Sequence, residues 1–286
     1  MLRLIGLVAV VLCAFAANSI LNRLALTGDD AGPVGFAAVR VTSGAVALLI
    51  IARFAGQPLA FRSRKRVVSS AGLLLYLLGF SFAYLMLDAG LGALILFGGV
   101  QVIMFATAVA VGEQPPLLRW FGMGIGLVGL VWLLAPGGDD DVPVWGTLLM
   151  CVAAVGWAAY TLVGRGAVAP IGETASAFLA AAPVALFAWV LSGEGLGLTA
   201  TGWALAMTSG VVTSGMGYAL WYALLPQMDT TIAGLAQLLV PVIAVVAGGV
   251  LLSEVVTLAM VLAGGLVLAG VALGTLSGRA APAGRR

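Results

Sequence analysis

The chain has 286 residues, of which 62% are apolar and only 8% are Asp, Glu, Lys or Arg, with a mean hydropathy of +1.17. An ordinary soluble domain carries about 25% charged residues, and 13 basic plus 11 acidic side chains cannot cover a chain of this size. A soluble enzyme, a disordered chain and a nucleic-acid binder are excluded, and the composition is that of an integral membrane protein. Histidine is absent, which removes the commonest proton shuttle and metal ligand. Cys13 and Cys151 lie in apolar runs and read as small buried apolar residues, with no disulfide framework and no metal site. Forty glycines suit helices that approach closely in a bilayer. Long unbroken apolar runs favour helices over the short alternating strands of a barrel.

Polar punctuation divides the chain into spans at 4–24, 33–54, 67–87, 90–111, 117–134, 144–163, 174–191, 202–225, 231–252 and 256–276, each near the ~20 residues that cross a bilayer. With a cytoplasmic N-terminus, Arg3, Arg53, Arg62, Arg64, Lys65, Arg66, Arg119, Arg165, Arg279, Arg285 and Arg286 fall inside. Asp29, Asp30, Asp88, Asp139, Asp140, Asp141, Glu194 and Glu254 fall outside, and only Arg23 and Arg40 are basic residues toward the outer side. This positive-inside pattern requires an even number of spans and puts both termini in the cytoplasm. Met1–Leu21 has features of a signal peptide. Its likeness to a mid-chain segment argues instead for a retained first span.

That likeness belongs to a repeat. A shift of 141 residues aligns Tyr84–Glu113 with Leu225–Glu254 without a gap, pairing Asp88 with Asp229 and Glu113 with Glu254. The same shift pairs Gly124 with Gly265 and Gly129 with Gly270, and a shift of 142 pairs Phe15 with Trp157, Ser19 with Thr161 and Arg23 with Arg165. A unit of five spans is odd, so its second copy enters the membrane from the opposite side. Such inverted halves are typical of carriers that expose a midplane site alternately to the two sides.

Within Ser209–Glu254 the segments Gly215–Tyr222, Gln237–Pro241 and Leu251–Glu254 resemble the EamA half of the drug/metabolite transporter superfamily. The first half echoes it with Arg40 and with Val111-Gly112-Glu113. The resemblance implies an all-α integral membrane bundle of ten helices built from two inverted five-helix repeats. Residues 1–136 would form the first EamA-like repeat, 143–278 the second, and 279–286 a short basic cytoplasmic tail. It further implies export of small metabolites, and within the superfamily the chain is similar to YddG-type exporters of aromatic and other neutral amino acids. One departure is that Gly99 and Val100 stand where the second half has Val240 and Pro241, which predicts a straighter fourth span.

Candidate solute-binding residues are the polar and aromatic side chains inside the spans. Phe15, Asn18 and Asn22 share one helix face of span one, and their mates on span six are Trp157, Tyr160 and Gly164. Span three presents Tyr76, Phe80 and Tyr84, span four Phe97, Gln101 and Phe105, span eight Ser214, Tyr218, Trp221 and Tyr222, and span nine Gln237 with Pro241. Each aromatic also reads as bundle packing, and each amide as a cross-helix hydrogen bond. A wall of rings with a few amides suits a small, partly apolar solute. Arg40 lies seven residues past Pro33. It either snorkels outward or pairs with Asp29, Asp30 or Glu254, or else serves as counter-ion to a substrate carboxylate or as a gate. Glu113 and Glu254 read as helix-end charges bracing a neighbouring span, and Asp88 and Asp229 as helix N-caps.

No acid falls near the middle of any span, which disfavours a proton relay of familiar type. The expected partners are a small solute and the lipid bilayer of the cell (inner) membrane, with no nucleic acid, no metal and no cofactor. Spans five and ten carry glycines and few polar groups, so they are expected at the periphery, with monomer and homodimer both open.

Overall fold

A computed structural model describes residues 2–61, 64–112, 114–134, 142–164, 167–228, 236–237 and 239–276. Among the described residues the secondary structure is entirely helical. Lipid offers no partner to backbone N–H and C=O groups, and a helix satisfies them within itself. In chain order the helices are α1 (Leu2–Thr27), α2 (Pro33–Phe54), α3 (Arg64–Ala83), α4 (Ala89–Ala110), α5 (Leu117–Leu134), α6 (Val144–Gly164) and α7 (Pro170–Leu191). A continuous rod follows, made of α8 (Ala200–Thr208), a π-helical segment (Ser209–Met216) and α9 (Gly217–Leu224). The chain then forms α10 (Leu239–Leu251) and α11 (Leu258–Leu276). Among the described residues six helices, α1 to α4, α6 and α7, are long and apolar enough to cross a membrane, and shorter apolar helices accompany them.

Small residues set the packing. A side-chain carbon on Gly72 of α3 would stand 2.8 Å from the Gly156 carbonyl of α6, and one on Gly79 would stand 2.9 Å from the Leu149 carbonyl. The α3–α6 pair is therefore in backbone contact, which only glycine permits at those positions. Gly129 of α5 approaches the Ala263 carbonyl of α11 in the same way, at 2.8 Å. Helix α2 is the most enclosed and lies between α7 and the π-helical segment. Helices α5 and α11 pair with each other and touch the rest mainly through α4.

The ends of α2 and α7 are capped reciprocally. Glu194, just past α7, accepts the backbone N–H groups of Val34 and Gly35 at 3.0 and 2.9 Å. Gln57, just past α2, accepts those of Ile171 and Gly172 at 2.9 and 3.1 Å. Each helix thus has its unsatisfied first-turn donors closed by the chain leaving the other, and the two run antiparallel. Cys13 and Cys151 correct the sequence reading: both are exposed on the outside of the bundle. Against lipid a small apolar thiol gains nothing by burial, so the preference that holds in soluble cores does not operate.

Candidate functional site

Phe15, Asn18 and Ser19 of α1, Tyr76 and Phe80 of α3, Leu96 and Phe97 of α4, and Trp157 of α6 converge on a cavity completed by Tyr218 and Gln237. The wall is aromatic: Tyr76 and Trp157 lie 4.9 Å apart, Trp157 and Tyr218 5.6 Å, and Phe15 and Tyr218 5.6 Å between ring centroids. Its volume is about 30 Å³. That holds a water or two and no metabolite, so the described conformation is contracted around its centre.

Arg40 stands behind this wall. It is fully buried at 0% exposure, and its guanidinium lies 5.4 Å from the ring centroids of both Tyr76 and Phe80. Nε donates to Ser214 Oγ at 3.2 Å and Nη2 to Tyr76 Oη at 3.1 Å, while Nη1 has no partner. Among the described residues no carboxylate pairs with it, so neither snorkelling nor pairing with Asp29, Asp30 or Glu254 describes this arginine. A buried charge without a counter-charge is costly, and the orphan nitrogen is a donor held ready.

The π-helical segment places the polar groups opposite. Ser209 Oγ donates to Asn18 Oδ1 at 2.8 Å, Thr213 Oγ1 bonds the same oxygen, and Ser214 turns to Arg40. A π turn widens the helix and brings Ser209, Thr213 and Ser214 onto one face; such segments recur at functional sites. Gly210 lets α2 close on this segment, because a side-chain carbon there would collide with the Arg40 carbonyl and with Ser43.

At the end of the bundle where α1 finishes and α4 begins, a second cluster is fully paired. Arg23 Nη1 donates to the Tyr84 carbonyl at 2.8 Å, Nη2 to Asp88 Oδ1 at 3.1 Å, and Nε lies 3.5 Å from Glu254 Oε1. The Ala89 N–H meets both Glu254 oxygens at 2.9 Å. Ser253, at φ 57°, turns the chain so that Glu254 points back at α4, and Gly248 leaves room for the carboxylate. Asp88 occupies the N-cap position but makes no side-chain cap bond. The cap comes from Glu254, far away in sequence, and Asp88 is drawn off to Arg23. Burial raises the Glu254 carboxyl above the usual carboxylate range, outweighing the Ala89 amide and Arg23, which lower it. The repeat mates Glu113, Arg165 and Asp229 lie outside the described residues.

Of the residues singled out from sequence, Phe15, Asn18, Tyr76, Phe80, Phe97, Trp157, Tyr218 and Gln237 meet at the cavity. Asn22 is buried one helical turn from Asn18, donating to Ser81 at 3.0 Å. Tyr84 meets Phe80 edge to face at 4.6 Å, and Trp221 packs on Phe15 at 6.0 Å. Tyr160 and Tyr222 belong to a separate small pocket with Glu173, Thr174 and Arg66. Gln101 is half-buried on α4, away from the cavity. Ser19, Leu96, Ser209 and Thr213 are not among the sequence candidates; a serine four residues before a threonine shares a face of any helix and is a weak signal in sequence, and the π turn adds Ser214 to that face.

The sequence profile of the EamA-like transporter family matches residues 144–276. An uncharacterized protein of Pseudomonas aeruginosa is 39% identical over 272 residues, 95% of this chain and 94% of that relative. The uncharacterized inner membrane transporter YedA of Escherichia coli is 28% identical over 58% of this chain and 55% of its own length. The chain belongs to the EamA-like transporter family. It is a multi-pass membrane protein, and its family and its named relatives are transporters. An uncharacterized transporter of Archaeoglobus fulgidus is 25% identical over 65% of this chain and 67% of its own. One crystal structure shares the fold, with a TM-score of 0.68 at 22% identity over 96% of this chain and 99% of that one.

Proposed function

We propose that this EamA-family protein is an inner-membrane carrier exporting a small neutral or zwitterionic metabolite, hydrophobic and aromatic amino acids foremost, by alternating access. The observation that carries the reading is Arg40: buried, without an acid partner, and separated by two rings from an aromatic cavity. A solute carboxylate supplies the missing partner, and the rings of Phe15, Tyr76, Phe97, Trp157 and Tyr218 receive its apolar body. The cavity of about 30 Å³ must enlarge to admit it, so binding and opening are linked.

Two inverted repeats, 1–136 and 143–278, would supply the motion. The reciprocal capping by Glu194 and Gln57 supports this reading, since equivalent contacts recur at opposite ends of α2 and α7. The distribution of basic residues puts Arg23, Asp88 and Glu254 at the outer mouth. Opening there breaks the Glu254 cap on α4 as α1 to α4 rock against α6 to α10. Helices α5 and α11 stay peripheral, with an apolar groove along Trp120, Phe121 and Gly124 facing lipid.

The test is counterflow in liposomes holding the purified protein, screened with amino acids, nucleosides and cationic dyes. Exchange of phenylalanine or leucine above that of empty liposomes is expected. Exchange of nucleosides or dyes alone would replace the proposed substrate class, and no exchange of any solute would favour a scaffold.

A further inference from the structure

We infer that the site recognises an organic carboxylate with an aromatic or bulky apolar body, and that the α-amino group of an amino acid plays no part in binding. The inference rests on the proposed carrier function and makes the carboxylate, on an anion as well as on a zwitterion, the group recognised.

It follows from counting donors and acceptors around the cavity. Arg40 brings five N–H donors and no acceptor. Two of them fill lone pairs on Ser214 Oγ and Tyr76 Oη, and Nη1 is left over. Because those oxygens already accept from a cation, what Tyr76 and Ser214 have left to offer a ligand is chiefly their O–H protons. Asn18 is polarised in the same sense. Its carbonyl oxygen accepts Ser209 at 2.8 Å and bonds Thr213, which leaves its amide N–H groups as the side able to meet a solute. Among the described residues the buried oxygens without a partner are Asn22 Oδ1, Thr42 Oγ1, Ser70 Oγ and Thr147 Oγ1, and none of these residues lines the cavity.

Charge points the same way as hydrogen bonding. None of the described residues lining the cavity is acidic, and the fixed charge that the described residues place beside it is the positive one on Arg40. An ammonium placed here would face a guanidinium, with only the neutral oxygens of Ser19, Tyr218 and Gln237 and no carboxylate among the lining residues to replace its water. A carboxylate in the enlarged cavity meets the Tyr76 hydroxyl and, past the Tyr76 and Phe80 rings, Arg40 Nη1, both as charge-assisted bonds. A zwitterion is held by its carboxylate alone, with its ammonium directed to trapped water.

Three solutes sharing a benzyl group separate the possibilities: L-phenylalanine, 3-phenyllactate, in which a hydroxyl replaces the ammonium, and phenethylamine, which lacks the carboxylate. Binding to the detergent-purified full chain is measured by calorimetry. Phenyllactate is expected to bind at least as tightly as phenylalanine, and phenethylamine at least tenfold more weakly than either. Arg40→Gln is expected to weaken both acids about tenfold or more, as loss of a charged hydrogen bond does, and Arg40→Lys to recover part of the loss. Tight binding of phenethylamine, or phenylalanine binding without phenyllactate, overturns the inference and leaves the amino-acid carrier standing. Phenyllactate binding without phenylalanine upholds it and removes the amino-acid reading. No binding by any of the three overturns both.

Discussion

Arg23 and Arg40 sit in consecutive helices and meet opposite surroundings. Arg23, at the proposed outer mouth, spends its donors on a carbonyl and two carboxylates, beside a helix start that one of those carboxylates also caps. Arg40, mid-bundle, finds two hydroxyls and two ring faces and keeps one nitrogen unused. Their places in the repeat differ as well: at a shift of 142 residues Arg23 matches Arg165, whereas Arg40 matches Ala182. The charge that is duplicated is the one satisfied by the protein itself. The charge that breaks the repeat is the one left for something else.

Four substitutions sharpen this contrast, the largest effect first. Arg40→Gln is expected to lower counterflow of a carboxylate solute about tenfold or more, while the protein still purifies as a folded species; charged hydrogen bonds are worth about 1.5–3 kcal/mol. Flux within twofold of the parent would make Arg40 structural only. Glu254→Ala removes the α4 cap, and caps are worth about 1 kcal/mol. It is expected to raise labelling of a cysteine at Ser19 by a membrane-impermeant thiol reagent about fivefold from the outer side, with Cys13 and Cys151 replaced. Unchanged labelling would show that the mouth closes by other contacts.

Glu254→Gln keeps an acceptor oxygen for the Ala89 N–H, so labelling is expected within about twofold of the parent. Acidity acts in the same direction. The carboxyl is raised in the closed mouth by burial and returns toward its ordinary range when hydrated, so the closed form binds the proton more tightly. Lowering the pH through the window between those values therefore favours closure. Labelling that rises with acid, and does so only with Glu254 present, would reverse this sign. Asp88→Asn should do least, under twofold, because its carboxylate is 40% exposed and such pairs are worth about 0–1 kcal/mol.

Much of the architecture was legible in the sequence, because the membrane reduces the choices. Apolar runs of sufficient length must be helices, and basic residues report the side. The convergence of Phe15, Asn18, Tyr76, Phe80, Phe97, Trp157, Tyr218 and Gln237 was legible because they are the polar and aromatic exceptions in apolar helices. Capping is not legible in the sequence where it is non-local. Asp88 has the right type and place for an N-cap, yet Arg23 competes for its carboxylate and Glu254 arrives from the other half of the chain. The π turn was invisible, since Ser209–Met216 reads like any glycine-rich helix until α2 packs against it at Gly210. For Arg40 the sequence allows an acid partner and a solute partner alike, and among the described residues it has no acid partner.

The most direct measurement is a crystal structure of the protein with 3-phenyllactate or L-phenylalanine bound. The account predicts an enlarged cavity with a carboxylate oxygen about 2.7–2.9 Å from Arg40 Nη1 and the benzyl ring among Tyr76, Trp157 and Tyr218. A solute held elsewhere, or in that cavity with its carboxylate away from Arg40, would contradict it.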